Sequence, residues 1–202
     1  MKKVSILLLV LLGCMPAASF AQKQFSFKDG KFKVVQFTDM HWTPRSAGCA
    51  DTEATIRAVL EAEQPALAVL TGDVVTDDPA REGWEAVVSL FNELKMPFVV
   101  TMGNHDAEYL TKDDIYDLLM QSPYYVGEKG PEDIKGCGNC VLPVQGAGGK
   151  TEALLYLLDS NDYQPEKLYG AYDWIHFDQI AWYRDQSTSY AQANGGKPLP
   201  AL

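Results

Sequence analysis

The sequence lacks an excess of positive charge and, after its first residues, any long apolar run. Its 17 Lys and Arg residues face 27 Asp and Glu residues, which gives a formal net charge of −10. Broad binding to a nucleic-acid backbone needs a basic surface, so we expect no nucleic-acid partner. A phosphate substrate remains possible, because bound metal cations can reverse the local field of an acidic protein. No later segment is apolar and long enough to be a transmembrane segment.

The chain begins with a pattern typical of a secretion signal. Two lysines precede a short apolar run over residues 6–12, and small residues follow as far as Ala21. The run is too short to span a bilayer, and the small residues favour cleavage after Ala21. We therefore expect a signal peptide over 1–21 and export to the periplasm or the extracellular space. In the alternative, a lipoprotein signal, Cys14 would be acylated and would anchor the protein to lipid.

The sequence has only four cysteines, and two of them form the C-x-x-C pattern of Cys137 and Cys140. A redox pair of this kind usually opens a helix after a strand, whereas this pair precedes a strand-like run. A zinc site would need a second pair of ligands nearby, and the sequence offers none. We therefore expect either a local disulfide or two free thiols.

Hydrophobic periodicity predicts strands and helices in alternation. Strands are predicted at 32–37, 66–71 and 98–101, with helices at 51–63 and from Pro79 onward between them. Next come a helix at 111–120, a loop at 122–138, strands at 141–145 and 154–159, and an aromatic-rich helix at 172–187. The aromatic residues of 172–190 are expected to be core. This order, in a chain that is 47% hydrophobic, predicts an α/β domain with parallel strands.

Polar residues suited to metal binding follow each of the first three predicted strands. The first strand leads into Asp39-Met40-His41, the second into Gly72-Asp73 and the third into Gly103-Asn104-His105-Asp106. Functional sites of open α/β sheets form at the carboxyl ends of the strands, so these groups are expected along one edge of the sheet. Each motif alone is weak, since Gly-Asp usually marks a turn. Their joint placement predicts a metal site.

The side chains in these motifs match the chemistry of transition metals, because imidazole and carboxylate together suit Zn, Fe or Mn. An extended segment would let Asp39 and His41 face one ion. Asp73 can bridge two ions, and Asn104 supplies an amide oxygen. Two ions roughly 3.5–4 Å apart can hold a phosphate between them and generate a hydroxide near neutral pH.

His105 lies beside a candidate ligand and is a candidate catalytic residue. It could protonate the leaving oxygen or stabilise developing charge, with Asp106 holding its ring. His176, in the predicted aromatic helix, is instead expected to be a packed or surface histidine.

The three motifs resemble the D-x-H, G-D and G-N-H-D/E signature of the calcineurin-like metallophosphoesterase superfamily. Segments 136–139, 158–160 and 172–183 are similar to its purple-acid-phosphatase-like branch. The resemblance covers about residues 28 to 190 and implies a layered α/β/β/α sandwich. It also implies a binuclear centre of divalent or trivalent metal ions (Fe, Zn or Mn).

The resemblance assigns roles to individual residues. It implies Asp39, His41 and Asp73 at one ion, Asp73 and Asn104 at the other, and a catalytic role for His105. The implied activity is hydrolysis of a phosphate ester in a small phosphorylated substrate. A phosphodiesterase or a nucleotide pyrophosphatase is the alternative within the class.

The sequence departs from the family pattern in two ways. Purple acid phosphatases have a tyrosine ligand where this chain has Thr76, so no tyrosinate-to-iron colour is expected. The family also has later histidines, including a G-H-x-H block, whereas this chain has three histidines in all. We therefore expect the domain over 28–202 to be incomplete at its C-terminus, with only the N-terminal portion of the sandwich present. A non-catalytic metal-binding remnant is the competing interpretation.

Overall fold

The computed structural model describes residues 24–164, 166 and 169–202. The predicted signal peptide over 1–21 and the alternative anchor Cys14 lie outside the described residues. Within the described part, no helix is both long enough and apolar enough to cross a bilayer.

Six strands and four α-helices form the described fold. In chain order they are β1 (Phe25–Ser26), β2 (Val34–Phe37), α1 (Gly48–Glu63), β3 (Leu67–Thr71), α2 (Ala80–Glu93), β4 (Phe98–Thr101), α3 (Lys112–Leu119), β5 (Cys140–Gln145), β6 (Thr151–Leu157) and α4 (Phe177–Ala193). A short 3₁₀ turn, Ala147–Gly149, joins β5 to β6.

The first sheet is parallel, with strand order β2-β3-β4. In its central strand, Leu70 is in register with Phe37 on one side and Val100 on the other. Parallel neighbours need crossover connections, which α1 and α2 provide. The outer face of this sheet packs on α1, α2 and α3 through a large apolar cluster whose fully buried side chains include Trp84, Phe91, Ile115 and Leu119.

The second sheet has strand order β1-β5-β6, with β1 parallel to β5 and β5 antiparallel to β6. Its inner face meets the first sheet in a second apolar cluster, built by Leu67, Val99, Leu142, Val144 and Leu157 among others. On the outer face, the rings of Tyr156 in β6 and Tyr183 in α4 lie 4.7 Å apart. The predicted layered α/β/β/α class is therefore confirmed, and two sheets lie between helices.

The prediction for the aromatic helix is wrong in its start and in its burial. The helix begins at Phe177 rather than at Tyr172, and Trp174 and Phe177 are 44% and 88% exposed. Of the residues of α4, all of which the structure describes, Gln179 alone is buried. Its side-chain nitrogen donates to the side-chain oxygen of Asn139 (3.0 Å) and to the carbonyl of Asp159 (2.7 Å). Polar contacts, not aromatic packing, therefore hold the start of this helix.

Cys137 and Cys140 are free thiols, which is one of the two predicted outcomes. Burial raises the pKa of each thiol to about 11. A thiol is nucleophilic or metal-binding as the thiolate, so this burial disfavours redox or zinc chemistry at the pair.

Candidate metal centre

The loops that follow β2 and β3 are joined by backbone hydrogen bonds beyond the end of the sheet. The N–H of Asp39 donates to the carbonyl of Gly72 (3.1 Å), and the N–H of His41 donates to the carbonyl of Asp73 (2.9 Å). The parallel pairing of the strands thus continues into the polar motifs, which brings the first two motifs into contact.

Two glycines let the third motif approach the second. A Cβ at Gly72, where φ is +85°, would lie 2.8 Å from the Cα of Gly103. A Cβ at Gly103 would lie 2.3 Å from Oδ1 of Asp73. Neither position has room for a side chain, so the close approach of the β3 and β4 loops depends on both glycines.

Asp39, His41 and Asp73 all adopt the left-handed backbone region, with φ of 50°, 44° and 50°. The expectation of an extended Asp39-x-His41 segment is therefore wrong. Left-handed residues other than glycine cost roughly 1–3 kcal/mol each and persist where the surroundings hold them. Here the hydrogen bonds to the β3 loop hold Asp39 and His41, and the N–H of Asp73 donates to Oδ2 of Asp106 (2.9 Å). The three side chains turn toward one another.

The three side chains converge on a space suited to one cation. Nε2 of His41 is 4.0 Å from Oδ1 of Asp39 and 3.9 Å from Oδ2 of Asp73. One candidate ligand atom from each residue lies within 4.8 Å of the others. Ligands at 2.1 Å on opposite sides of an ion are roughly 4.2 Å apart, so small movements suffice for joint coordination. One nitrogen with two carboxylate oxygens fits Zn, Fe or Mn.

Thr76 contacts the ring of His41, with its hydroxyl 3.2 Å from Nδ1. This contact directs the other ring nitrogen, Nε2, toward the two carboxylates. Outer partners of this kind orient histidine ligands in metal sites. The position at which purple acid phosphatases have a tyrosine ligand thus holds an orienting hydroxyl here.

Asp106 is only 1% exposed and organises the backbone of two loops. It accepts hydrogen bonds from four backbone N–H groups, those of Asp73 (2.9 Å), Val74 (2.8 Å), Val75 (3.1 Å) and Gly103 (2.7 Å). Burial raises the pKa of this carboxyl, although the hydrogen bonds from Gly103 and the β3 loop act against that rise. The expectation that Asp106 holds the ring of His105 is wrong, because its two oxygens face these backbone groups.

The partner of the His105 ring is Glu108, to which sequence reasoning gave no role. Nδ1 of His105 lies 2.8 Å from Oε1 of Glu108, and this hydrogen bond raises the pKa of the imidazole. The backbone N–H of His105 donates to Oδ1 of Asp73 (3.1 Å), and its ring lies 6.2 Å from that of His41. The only sequence signal for Glu108 was its position three residues after His105.

Asn104 is half-buried in the same loop, and its side-chain Nδ2 donates to the hydroxyl of Tyr163 at 2.8 Å. The two residues are 59 positions apart in the sequence, and no local pattern indicated the contact. Tyr163 therefore joins the site only in the folded chain.

The third histidine, His176, is the residue before α4 and is engaged there. Its Nε2 lies 2.9 Å from Oδ1 of Asp173, and its ring stacks on Trp174 with centroids 5.4 Å apart. It is a packed residue, as expected, although it precedes the helix instead of lying within it.

Residues 32–196 match the family described as calcineurin-like phosphoesterase, and the chain belongs to that family. "Probable inactive purple acid phosphatase 29" of Arabidopsis thaliana is 29% identical over 94% of this chain and 56% of its own length. "Phosphatase DCR2" of Saccharomyces cerevisiae is 30% identical over 86% of this chain and 34% of its own length. This chain spans between about a third and just over half of the length of these relatives. The first of these names agrees with the purple-acid-phosphatase-like branch predicted from the sequence, and the second is that of a phosphatase.

Proposed function

We propose that the protein is a metal-dependent phosphoesterase with a binuclear site, formed by a phosphoesterase domain over residues 28–202. The observation that carries this proposal is the convergence of Asp39, His41 and Asp73 where β2 and β3 end. Membership of the calcineurin-like phosphoesterase family supports the same reaction class.

In this proposal, Asp39, His41 and Asp73 would hold one ion, and Asp73 and Asn104 would hold the other. The ions are divalent or trivalent Fe, Zn or Mn. When bound, such ions stabilise negative charge on phosphoryl oxygens and lower the pKa of water. Asp106 is a positioning residue, because its four hydrogen bonds hold the loops that present Asp73 and Asn104.

His105 is the proposed proton donor to the leaving-group oxygen. Its hydrogen bond to Glu108 raises the pKa of the imidazole, which favours the protonated form needed for a general acid. The ring is about 39% exposed, so a substrate can reach it. Loss of the proton to the leaving oxygen would make departure of that group easier.

The proposed substrate is a small phosphorylated compound. Asp39 and His41 are 65% and 53% exposed, so the site is open and fits monoesters and diesters alike. A phosphodiesterase or nucleotide pyrophosphatase is the alternative within the class. We further propose export through the signal at 1–21, with lipid anchoring through Cys14 as the alternative.

The test compares three variants of the full chain in metal titration and in hydrolysis of p-nitrophenyl phosphate. Asp73→Asn should lose both metal affinity and turnover. His105→Ala should lower turnover by about 10²–10⁴-fold, the range of general acid catalysis, with little loss of metal. Asp133→Asn, which alters an exposed carboxylate, is the matched control and should change neither. Unchanged turnover in His105→Ala would show that the catalytic assignment is wrong.

A non-catalytic metal-binding protein is the second candidate function. It is favoured by Thr76 at the position where purple acid phosphatases have a tyrosine ligand. A wild-type chain that binds metal yet hydrolyses no phosphate ester, with Zn, Fe or Mn supplied, would support this candidate over the enzyme.

A further inference from the structure

Tyr163 connects the proposed second-ion ligand to the proposed proton donor. Its hydroxyl accepts a hydrogen bond from Nδ2 of Asn104 (2.8 Å) and donates to Oε1 of Glu108 (3.5 Å). The same carboxylate oxygen of Glu108 lies 2.8 Å from Nδ1 of His105. One hydroxyl thus belongs to a network that includes both Asn104 and His105.

The direction of these hydrogen bonds decides which end of the Asn104 carboxamide faces Tyr163. A phenol has a single hydrogen to donate, whereas a carboxamide has an acceptor oxygen and a donor nitrogen. Because the carboxylate of Glu108 takes the hydrogen of the Tyr163 hydroxyl, that hydroxyl can only accept from Asn104. The nitrogen of Asn104 must then face Tyr163, and its oxygen is left for a cation.

The position of Tyr163 is itself held by packing and by a buried ion pair. Its ring stacks on Tyr172, with centroids 5.7 Å apart and planes 25° from parallel. The preceding loop is anchored at Asn161, whose backbone N–H donates to Oδ1 of Asp159 (2.8 Å). The buried Asp159 pairs with Lys112 at 2.9 Å. These contacts oppose rotation of the phenol away from Asn104, although the residue remains 39% exposed.

We propose that Tyr163 is a positioning residue that fixes the Asn104 carboxamide with its oxygen directed at the second ion. This inference rests on the proposed binuclear site. Without the hydroxyl, the carboxamide is free to rotate, and the second ion loses an oriented ligand. Outer partners of metal ligands typically contribute 10–100-fold in metal affinity or activity.

The test is Tyr163→Phe in the full chain, with Tyr172→Phe as the matched control. The first variant keeps the aromatic stack and removes the hydroxyl that contacts Asn104, whereas the second removes a hydroxyl from the other ring of the same stack. Titration with Co²⁺, followed by visible absorption, should show a second-ion Kd at least about 10-fold higher in Tyr163→Phe. The first-ion Kd and both Kd values of Tyr172→Phe should match wild type.

A double-mutant comparison shows whether Tyr163 acts through Asn104. In an Asn104→Ala background, Tyr163→Phe should have no further effect on the second-ion Kd. An equal effect in that background would overturn the inference, as would an unchanged second-ion Kd in Tyr163→Phe when wild type binds two ions. A wild type that binds one ion refutes the binuclear proposal instead.

A measurement without metal distinguishes failure of the positioning role of Tyr163 from failure of the binuclear proposal. The side-chain NH₂ protons of Asn104 should exchange with solvent more rapidly in Tyr163→Phe than in wild type or Tyr172→Phe, as seen by NMR. Unaltered exchange in Tyr163→Phe would overturn the positioning role, whatever the protein does with metals.

Discussion

Replacement of Asp106 by asparagine removes one acceptor from the junction of the β3 and β4 loops. In the wild type, Oδ1 of Asp106 accepts from two N–H groups of the β3 loop, and Oδ2 accepts from one N–H of each loop. Asparagine keeps the shape of the side chain and replaces one oxygen by an NH₂ group. Whichever way the amide turns, two backbone donors face another donor.

The expected cost follows from the number of donors left without an acceptor. Each unsatisfied buried group costs about 1–3 kcal/mol, so two of them cost roughly 2–6 kcal/mol. Burial raises the pKa of Asp106, which means that its charge is unfavourable there, and the neutral amide relieves that cost. We therefore expect Asp106→Asn to lower the free energy of unfolding by about 2–4 kcal/mol.

The assay is urea unfolding followed by circular dichroism, in buffer with a chelator so that metal binding to the native state does not contribute. The m-value should stay constant, since the surface exposed on unfolding is unchanged. Asp133→Asn makes the same chemical change at an exposed position, and its free energy of unfolding should lie within about 0.5 kcal/mol of the wild-type value. A loss below about 1 kcal/mol in Asp106→Asn would refute the argument that its four hydrogen bonds hold the loops.

Two further changes test the same edge of the sheet. Gly103→Ala should lower the free energy of unfolding by about 1–3 kcal/mol, because the new Cβ would lie 2.3 Å from Oδ1 of Asp73. Its control, Gly48→Ala in α1, should raise the free energy of unfolding by up to about 1 kcal/mol. Thermal melts compare the two variants. Glu108→Gln should lower the pKa of the His105 imidazole in metal-free protein, since the carboxylate raises it, and an NMR pH titration measures the shift. Because the pKa of His105 is higher in the folded than in the unfolded chain, protonation of its ring stabilises the fold at pH values below about 6.5, the unfolded pKa. This contribution is lost as the pH rises through the folded pKa. The stability difference between wild type and Glu108→Gln should therefore shrink at alkaline pH, and a constant difference would contradict the assignment.

The parallel strands and the motifs at their ends could be predicted because both are local properties of the chain. The apolar runs that became β3 and β4 end where Gly72 and Gly103 occur, and the polar residues follow at once. Parallel pairing of the strands in register then brings those residues to the same edge of the sheet. The layered class and the grouping of Asp39, His41 and Asp73 follow from these local signals together with the family resemblance.

Local pattern was misleading where a polar contact outweighed apolar periodicity. Aromatic residues around α4 suggested a buried face, yet the buried side chain of that helix is Gln179. The Gln179 carboxamide is stable in the protein interior because it donates hydrogen bonds to Asn139 and Asp159. Aromatic rings, in contrast, can remain partly exposed to solvent at modest cost.

The sequence by itself determined which chemical groups lie at the carboxyl ends of β2, β3 and β4. The tertiary structure decided which partner each group has: Glu108 for His105, the backbone of two loops for Asp106, and Tyr163 for Asn104. A hydrogen bond needs its donor and acceptor about 2.7–3.2 Å apart. The partners of Asp106 and Asn104 lie in segments remote in the chain, and such segments come that close only once the sheets have packed.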